Sequence, residues 1–275
     1  STVSLLGDSA IVEGSVTYDG TEMVGASEKH LMQVRGNDIS FIFQEPMTSL
    51  NPLHTIEKQL TESLALHQGL VGRAARARVL ELLEKVGIRD AETRLGSYPH
   101  QLSGGQRQRV MIAMALANKP EILIADEPTT ALDVTIQAQI LELLAELKKS
   151  EGMGLLFITH DLNVVRRIAD RVCVMTKGKI VEAGPTEQIF ADPRHPYTLG
   201  LLHSTPHIAK RAARLDPIQG LPPSLENLPK GCAFNPRCAF AFDRCLVERP
   251  PLTDAGDGRL KACFYEGPLA YGAVA

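Results

Sequence analysis

Short apolar runs alternate with segments of helical periodicity along most of the chain. In the helical segments, apolar side chains recur every three or four residues, which is the spacing of one helix face. The apolar runs are short enough to be buried strands of a parallel sheet. This pattern predicts helices at 56–67, 73–86, 104–118, 134–149 and 162–169, and strands at 14–18, 39–43, 122–125, 155–159, 171–176 and 179–183.

Strands and helices alternate regularly between Ile122 and Met175. Such alternation is typical of α/β folds, in which helices cover the faces of a parallel sheet. Two turns are also indicated: Asp19-Gly20 is a hairpin signal, and Lys177-Gly178 leads into the last strand of the front part. The sequence therefore predicts an α/β fold around a parallel sheet.

Composition divides the chain into a regular front part and a loop-rich tail. Most prolines lie from Pro185 onward, and four of the five cysteines lie from Cys232 onward. We expect the boundary between Ser204 and Pro217, which gives domains at 1–205 and 206–275. The fifth cysteine, Cys173, lies within an apolar strand and is expected to be a small core residue.

Overall composition excludes several classes of protein. Hydrophobic residues make up 44% of the chain and charged residues 22%, which excludes a disordered or collagen-like polypeptide. The longest wholly apolar run, 110–117, is far shorter than the ~20 residues of a membrane-spanning helix. A net charge of -3 gives no strong attraction to nucleic acid or anionic lipid. The first residues lack a basic segment, so no signal peptide is expected.

An apolar strand at 122–125 leads directly into two carboxylates, Asp126 and Glu127. The crevice beyond the carboxyl ends of the strands is where open α/β sheets bind ligands. In nucleotide hydrolases a strand-end Asp supports magnesium, and a neighbouring carboxylate orients the attacking water. Taken alone, this hexapeptide is equally consistent with a strand followed by an acidic turn before Pro128.

A Ser-Gly-Gly turn at 103–105 precedes the predicted helix around Gln106. Its glycines let the backbone approach a ligand closely, and the helix N-terminus offers free N–H groups suited to phosphate. Ser-Gly-Gly by itself is an ordinary N-cap. The whole stretch Leu-Ser-Gly-Gly-Gln-Arg-Gln-Arg, about 20 residues before the carboxylate pair, favours phosphate binding instead.

Three further polar residues stand at the ends of predicted elements. Gln44 follows the strand at 39–43, His160 follows the strand at 155–159, and Asp133 precedes the helix at 134–149. Two of them have a plain structural explanation: Asp133 as an N-cap, and His160 as a helix cap or surface residue. Gln44 alone indicates almost nothing. A His at a strand end is also placed to donate a hydrogen bond to a terminal phosphate.

Taken in order, these motifs resemble the ATP-binding subunit of ABC transporters. The order is Gln44, Leu-Ser-Gly-Gly-Gln at 102–106, Ile-Leu-Ile-Ala-Asp-Glu at 122–127, Ala-Leu-Asp at 131–133 and His160. Segments 43–52, 98–101 and 195–198, and the cysteine-bearing segment 231–238, are similar to the oligopeptide/dipeptide (and nickel) importer branch. The resemblance implies a RecA-like parallel-sheet ATPase core with an antiparallel β portion, a helical subdomain at about 48–103, and a small Cys/Pro-rich C-terminal extension.

The resemblance also implies a role for each site residue. Glu127 would be the general base that polarises water, and Asp126 would hold Mg²⁺ through water. Gln44 would sense the metal and the γ-phosphate, and His160 would donate to the γ-phosphate. The signature residues would bind the ATP held by the opposite subunit of a head-to-tail dimer, with Asp133 at that interface. These signature residues are Ser103, Gly104, Gly105 and Gln106.

The main departure from the family pattern concerns the phosphate-cradling loop. The family has a Gly-x-x-x-x-Gly-Lys-Ser/Thr loop (Walker A) upstream of these motifs, and the 275 residues contain no such segment. We expect an N-terminally truncated copy whose loop lies before Ser1. Because phosphoryl transfer depends on positioning and charge neutralisation, we expect this chain to be inactive as an ATPase on its own.

The four tail cysteines form a separate prediction. Cys232, Cys238, Cys245 and Cys263 are separated by five, six and 17 residues. Because cytoplasmic proteins seldom use disulfides, four thiols in a short proline-rich tail suggest metal. The spacing lacks the Cys-x-x-Cys pairs of zinc ribbons. The resemblance implies a four-iron, four-sulfur (4Fe-4S) cluster; zinc and no metal stay open as alternatives.

The resemblance implies an ATPase that lies peripherally on the cytoplasmic face of the cell (inner) membrane. Its cofactors would be ATP and Mg²⁺. Its partners would be a second ATPase subunit, in a homo- or heterodimer, integral-membrane permease subunits and, indirectly, an extracytoplasmic solute-binding protein, without nucleic acid. Two alternatives stay open: a soluble ABC-type ATPase outside transport, and a non-catalytic partner that contributes only the signature half-site. The sequence leaves the transported solute undetermined.

Overall fold

The computed structural model describes residues 3, 5, 10–44, 49–130, 132–205 and 218–269. The chain divides into two compact units, Ser1–His160 and Asp161–Ala275. The segment at 206–217, where the predicted domains meet, lies outside the described residues. The domain boundary near 205 therefore stays a prediction.

The first unit contains five strands and six helices among its described residues. Their order is β1 (Thr17–Tyr18), β2 (Thr21–Glu22), α1 (Glu28–Val34), β3 (Ile39–Ile42), α2 (Ile56–Gln68), α3 (Gly72–Lys85), α4 (Ala91–Arg94), α5 (Gly104–Ala115), β4 (Ile122–Asp126), α6 (Val134–Glu151) and β5 (Gly154–Ile158), with a 3₁₀ turn at Pro99–Gln101. The predicted elements of this unit are present, although the strand predicted at 14–18 is limited to Thr17–Tyr18. Helix α1, capped by the Ser27 side chain, was not predicted.

A three-stranded parallel sheet positions the candidate site. Its strand order is β3-β4-β5, with Ile42 opposite Ala125 and Asp126 opposite Ile158. All three strands run in the same direction, so their carboxyl ends lie at one edge of the sheet. Residues that follow the three strands are therefore brought together at that edge.

Helices α2 and α3 pack through the apolar faces that the periodicity predicts. Ile56, Leu60 and Leu64 of α2 are fully buried, as are Val79 and Leu83 of α3. Thr55 caps α2 by accepting from the backbone N–H of Lys58. At its other end, Gly69 takes the left-handed conformation that closes many helices, with a φ of 65°.

The second unit contains an antiparallel sheet with strand order β6-β7-β9-β8. The elements in chain order are α7 (Leu162–Ile168), β6 (Arg171–Thr176), β7 (Lys179–Pro185), α8 (Thr186–Ala191), α9 (Pro196–His203), α10 (Asp243–Val247), β8 (Thr253–Gly256) and β9 (Arg259–Lys261), with a 3₁₀ turn at Asn235–Arg237.

Strand β6 corrects one expectation, because it does not extend the parallel sheet. It pairs antiparallel with β7 instead. The cause is the two-residue turn between the strands, where Lys177 and Gly178 have φ angles of 49° and 72°. Two consecutive positive φ angles match the tight turn of a hairpin. Among the described strands, parallel pairing thus ends at β5, although helix α7 still separates β5 from β6.

The position of Cys173 on β6 is a second correction. We expected a core residue, but Cys173 is exposed. Among the described residues, β6 is an edge strand that pairs with β7 alone. Alternate side chains of a strand point to opposite faces, and Arg171, Cys173 and Met175 share the exposed face.

The tail is tied to β7 by an ion pair between Glu182 and Arg259. The side chains of Glu182 and Arg259 are 0% and 2% exposed, and Arg259 Nη2 donates to Glu182 Oε1 at 2.8 Å. Glu182 Oε1 also accepts from the backbone N–H of Arg194 at 2.7 Å, and Oε2 accepts from that of His195 at 3.0 Å. A buried carboxylate needs such partners, because an unpaired buried charge is strongly destabilising.

Throughout the described ranges, no helix is both long enough and apolar enough to cross a membrane.

Helices α5 and α6 approach closely at Gly105, which gives a first testable prediction. A Cβ atom at Gly105 would lie 2.9 Å from Ile136 Cγ2, whereas one at Gly104 would lie 3.8 Å from Leu132 Cδ2. Alanine improves helix propensity at both positions, but only Gly105→Ala overpacks the contact. We expect Gly105→Ala to be less stable than Gly104→Ala by about 1–3 kcal/mol in urea unfolding.

Gly104→Ala serves as the matched control, because it makes the same chemical change one residue away. Adding Ile136→Ala to Gly105→Ala should recover part of the overpacking loss. Equal unfolding free energies for the two single variants would contradict the close approach.

Candidate active site

Glu127 follows β4 in a backbone conformation that few non-glycine residues adopt. Its φ is 44°, in the left-handed region. Its N–H donates to the Ile158 carbonyl at 2.9 Å, which extends the β4–β5 ladder by one bond before the chain turns away. Such a conformation costs roughly 1–3 kcal/mol and is found mainly where the surrounding structure imposes it, as at active sites.

Three side chains converge on the Glu127 carboxylate. Gln44 Nε2 donates to Oε2 at 3.0 Å, and Thr130 Oγ1 donates to the same oxygen at 2.9 Å. His160 Nδ1 lies 2.9 Å from Oε1. Because an ionised carboxylate only accepts hydrogen bonds, the proton of the His160 ring lies on Nδ1 in this contact.

The structure thus brings together three of the residues predicted from sequence. Gln44, Glu127 and His160 follow β3, β4 and β5, and the common edge of the parallel strands places them side by side. Asp126 ends β4, directly before Glu127. The sequence analysis missed Thr130, whose backbone N–H donates to the Glu127 carbonyl at 3.1 Å in a turn. The sequence did offer one signal: Glu127 and Thr130 are three positions apart, which is the spacing of the first and last residues of such a turn.

These hydrogen bonds control the charge of Glu127. The bond from His160, followed by the bond from Thr130, holds the pKa of Glu127 below its usual range, while partial burial acts in the opposite direction. The side chain of Glu127 is 24% exposed and that of His160 is 77% exposed. The carboxylate is therefore anionic at neutral pH and is reached by water, as a general base requires.

Ser103 begins α5 with a reciprocal capping arrangement. Its Oγ accepts from the Gln106 N–H at 3.3 Å, and its own N–H donates to Gln106 Oε1 at 3.0 Å. The hydroxyl of Ser103 acts as an acceptor in this cap, so its proton stays available for a ligand. In the described part of the chain, no hydrogen bond joins Ser103 or Gln106 to the group around Glu127. Their predicted role across a dimer interface stays a prediction.

Asp133 caps α6, because its Oδ1 accepts from the Ile136 N–H at 2.9 Å. Gly104 and Gly105 pack beside Leu132 and Ile136, so the N-termini of α5 and α6 are neighbours. Asp133 therefore has the structural role of an N-cap here, and its predicted place at a subunit interface stays a prediction.

Part of the predicted contact region for membrane subunits cannot be placed. Residues 45–48 of that region lie outside the described residues, and they include the start of the expected helical subdomain. Ala131, of the Ala-Leu-Asp motif, also lies outside the described residues. Within the described part, the Asn51 N–H donates to Gln59 Oε1 at 2.8 Å. Gln59 Nε2 donates back to the Asn51 carbonyl at 3.2 Å, which fixes Asn51 on α2.

The four tail cysteines lie together in the second unit. They line one cavity, and they are Cys232, Cys238, Cys245 and Cys263. The Cys263 sulfur accepts a hydrogen bond from the backbone N–H of Tyr265 at 3.4 Å. The backbone N–H groups of Phe234 and Phe240 act to lower the pKa values of Cys232 and Cys238. Hydrogen bonds to sulfur are among the features that tune iron–sulfur clusters.

Burial keeps three of these thiols protonated. It raises the pKa of Cys238 to about 12, and it raises the pKa values of Cys232 and Cys263 as well. A thiolate in this cavity would therefore need a neighbouring positive charge, such as a metal. Across the described ranges, no group of three or more His, Cys, Asp or Glu side chains has an arrangement that could hold a metal ion.

Comparison with known proteins gives consistent matches. The family described as ABC transporter matches residues 2–130, and the family described as oligopeptide/dipeptide transporter, C-terminal region, matches residues 181–245. A dipeptide transport ATP-binding protein of Escherichia coli (strain K12) is 48% identical over 255 residues, which are 93% of this chain and 78% of that protein. A putative peptide import ATP-binding protein of Brucella ovis is 52% identical over 88% of this chain and 74% of its own length.

Two further matches differ in coverage. A peptidoglycan transport ATP-binding protein of Agrobacterium fabrum is 67% identical over 193 residues, which are 70% of this chain and 35% of that protein. Among solved structures, a dimeric bacterial ABC transporter cassette is 34% identical, with a TM-score of 0.57 over 63% of this chain and 74% of its own.

The hydrogen bond from His160 makes a prediction about the Glu127 carboxylate. Because this bond is the largest cause of the lowered pKa, His160→Ala should raise the pKa of Glu127 towards its ordinary value. Thr130→Val should raise it by less. The titration of ¹³C-labelled glutamate carboxyls, followed by NMR between about pH 2 and pH 7, measures both shifts.

His100→Ala is the matched control, since it removes an imidazole that makes no hydrogen bond to Glu127 in the described structure. An unchanged Glu127 titration in His160→Ala would show that the contact does not persist in solution.

Proposed function

Because the chain belongs to the ABC transporter family of ATP-binding proteins, we propose that it binds and hydrolyses ATP to power an importer of oligopeptides, dipeptides or related solutes. The observation that carries the proposal is the convergence of Gln44, Thr130 and His160 on the Glu127 carboxylate at one edge of the parallel sheet. The names of the relatives from Escherichia coli and Brucella ovis support the substrate class.

In this proposal, Glu127 is the general base that polarises the attacking water. Asp126, at the end of β4, holds Mg²⁺ through water. A carboxylate at a strand end fits this ion, because Mg²⁺ prefers oxygen ligands and keeps several of its waters. Bound Mg²⁺ supplies charge neutralisation for the phosphates.

His160 would exchange partners during the cycle. Its side chain is largely exposed, so it can turn from Glu127 Oε1 towards a γ-phosphate without disturbing a packed core. When it leaves, Oε1 becomes free to accept from water. The loss of the hydrogen bond also raises the pKa of Glu127, which makes the carboxylate a stronger base.

Gln44 would respond to the same event from the other side. It donates to Glu127 Oε2 and directly precedes the segment at 45–51, which would contact the membrane subunits. If Gln44 turned from Glu127 towards a γ-phosphate and its magnesium, the start of that segment would therefore move with it. This gives ATP binding a mechanical route to the permease.

The signature half-site would act on the nucleotide of a second ATPase subunit. Its elements are the N-terminus of α5 and the unused hydroxyl proton of Ser103. Gly104, Gly105 and Gln106 present backbone N–H groups at this helix end, where a phosphate is favourably bound. Asp133, which caps the adjacent α6, would lie at the same interface.

The proposed partners follow from this arrangement. Two ATPase subunits would close on ATP, and integral-membrane permease subunits would receive the motion. An extracytoplasmic solute-binding protein would deliver the solute without touching this chain. The chain would then lie peripherally on the cytoplasmic face of the cell (inner) membrane.

The tail cysteines would hold a 4Fe-4S cluster. Four thiols line one cavity, which is the ligand number of such a cluster, although the described side chains have no arrangement that could hold a metal ion. A backbone N–H donates to the sulfur of Cys263. When bound, the cluster supplies one-electron redox chemistry or a structural cross-link for a tail that contains little regular structure. Iron and sulfide analysis of anaerobically purified protein tests this part separately from ATP hydrolysis.

The base assignment predicts the behaviour of Glu127→Gln in the full-length natural protein. The amide cannot accept a proton from water, so ATP turnover should fall by roughly 10²–10⁴-fold. ATP-dependent dimerisation should persist, because the amide removes a base without adding bulk. Phosphate release and size-exclusion chromatography measure the two properties.

The matched control is Glu121→Gln, the same substitution just before β4, where the carboxylate accepts from the Tyr18 hydroxyl instead. Turnover in this variant should stay near that of the wild type. Normal turnover in Glu127→Gln would remove Glu127 from the role of base.

The signature half-site predicts a different defect for Ser103→Arg. The long cation would occupy the space at the helix tip where the opposite subunit's phosphates bind. We expect ATP-dependent dimerisation to be lost, whereas binding of ATP to the subunit's own half-site is retained. Size-exclusion chromatography in a Glu127→Gln background and nucleotide-binding titrations separate the two effects.

Ser103→Thr preserves the hydroxyl and the cap, so it should dimerise normally. Unchanged dimerisation of the Ser103→Arg protein with ATP would exclude this helix tip from the interface.

A further inference from the structure

Thr130 differs from the other two donors to the Glu127 carboxylate in how it is held. Gln44 and His160 follow separate strands, and both side chains are exposed. Thr130 is half-buried and lies in the same turn as Glu127, because its backbone N–H donates to the Glu127 carbonyl at 3.1 Å. A β-branched side chain is also stiff at χ1. The hydroxyl of Thr130 is therefore the donor that stays with Glu127 when the exposed donors turn away.

The three donors are shared unequally between the two oxygens of the carboxylate. Thr130 Oγ1 donates to Oε2 at 2.9 Å, and Gln44 Nε2 donates to the same oxygen at 3.0 Å. Within the described part of the chain, the side chain bonded to Oε1 is that of His160, with its Nδ1 at 2.9 Å. Because the His160 side chain is 77% exposed, Oε1 is the oxygen that opens to water when this partner leaves. Oε2 is the oxygen that the turn keeps.

A second turn of the same kind shows that the turn itself does not require this hydrogen bond. Asp90 and Glu127 both have a left-handed backbone, with φ angles of 54° and 44°. The Thr93 N–H donates to the Asp90 carbonyl at 3.0 Å, and the Thr93 hydroxyl donates to the same carbonyl at 2.9 Å. The backbone arrangement is thus shared, whereas the hydroxyl of Thr130 is directed at the carboxylate.

A fixed backbone does not by itself fix the direction of a glutamate carboxylate. Three rotatable bonds separate the two, and each has several staggered positions. In Glu127, the bond from its N–H to the Ile158 carbonyl at 2.9 Å holds the backbone, and Thr130 holds the far end of the side chain. A carboxylate held at both ends is preorganised. Such orientation matters, because a displacement of about 1 Å in a reacting group can lower a rate by roughly 10²-fold.

We propose that Thr130 is a positioning residue of the ATPase site, whose hydroxyl holds Oε2 of Glu127 so that Oε1 is presented to the attacking water. This inference rests on the proposed role of Glu127 as the general base. In that reaction, Oε1 takes a proton from the water whose oxygen bonds to the γ-phosphorus, while the bond from that phosphorus to the ADP oxygen breaks. Gln44 and His160 are free to meet the nucleotide because Thr130 stays.

Two substitutions separate the hydroxyl of Thr130 from its bulk. Thr130→Val removes the hydroxyl and keeps the branched shape, whereas Thr130→Ser keeps the hydroxyl and removes a methyl group. In the full-length natural protein, we expect kcat for ATP hydrolysis to fall by roughly 10–10²-fold in Thr130→Val. KM for ATP should stay near that of the wild type, because the lost bond is made to the proposed base. Thr130→Ser should retain most of the wild-type kcat.

Phosphate release at a series of ATP concentrations measures kcat and KM for each variant. A kcat of Thr130→Val equal to that of the wild type would overturn the proposal. So would a loss in Thr130→Ser as large as that in Thr130→Val, because the methyl group would then be what matters.

The pH dependence of kcat separates positioning from a general loss of stability. The bond from His160, followed by that from Thr130, lowers the pKa of Glu127. Removing the Thr130 donor raises that pKa, so a higher pH is needed to deprotonate the base. The acid limb of the kcat profile should therefore move to higher pH in Thr130→Val. The titratable neighbours of Glu127, which are His160 and Asp126, are unchanged in this variant. A reduced kcat with the acid limb at its wild-type position contradicts the assigned bond.

Thr93→Val is the matched control, since it removes a threonine hydroxyl from the equivalent turn at Asp90. It should leave kcat and its pH dependence unchanged, even where it lowers the urea concentration of half-unfolding. A kcat loss in Thr93→Val as large as that in Thr130→Val would assign the loss to the turn and not to the carboxylate, which overturns the proposal.

A double variant distinguishes failure of this inference from failure of the proposed function. Once Glu127→Gln has removed the base, Thr130 has no base to position, so adding Thr130→Val should lower the residual kcat by less than about twofold. Normal turnover in Glu127→Gln overturns both the base and the role of Thr130. Lost turnover in Glu127→Gln together with normal turnover in Thr130→Val overturns the role of Thr130 alone.

Discussion

The parallel register of β3, β4 and β5 is the constraint on which the candidate active site depends. Gln44 and His160 are separated from Glu127 by 83 and 33 positions in the sequence, yet all three meet within hydrogen-bond distance. The hydrogen bonds between these side chains could not by themselves bring together residues so far apart in the sequence. The ladder does so, and its last bond, from the Glu127 N–H to the Ile158 carbonyl, also holds Glu127 in its left-handed conformation.

The Glu127 carboxylate is therefore restrained by its hydrogen-bond donors. In the described conformation, donors occupy both of its oxygens and lower its pKa, which favours the anion but weakens it as a base. Two of those donors, Gln44 and His160, come from neighbouring strand ends, whereas Thr130 belongs to the same turn as Glu127. Ligands that attract the first two would leave Thr130 to orient the carboxylate. If Glu127 is the proposed general base, it would gain basicity only when the site is filled, which would limit hydrolysis by an incomplete site.

Much of the first unit was predictable because its signals are local. Apolar periodicity located α2, α3 and α6, and short apolar runs located the three parallel strands. Thr130 was missed because its role depends on a turn geometry that periodicity does not encode. Strand β6 was placed in the wrong sheet because an apolar strand has the same pattern in parallel and antiparallel pairing. The pairing of β9 with β7 joins residues far apart in sequence, such as Glu182 and Lys261, and no local pattern announces such a contact.

The tail shows how a loop-rich segment can still fix a site. It contains few apolar side chains in regular order, so hydrophobic burial alone gives it little definition. Glu182 and Arg259 supply a different kind of constraint, because a fully buried carboxylate must keep its partners in place. Breaking such a pair typically costs about 3–5 kcal/mol, so the backbone N–H groups of Arg194 and His195 are held along with it. The ion pair thus fixes the position of His195 relative to the antiparallel sheet. Because the His195 ring lines the cavity of the four cysteines, one wall of that cavity is fixed as well.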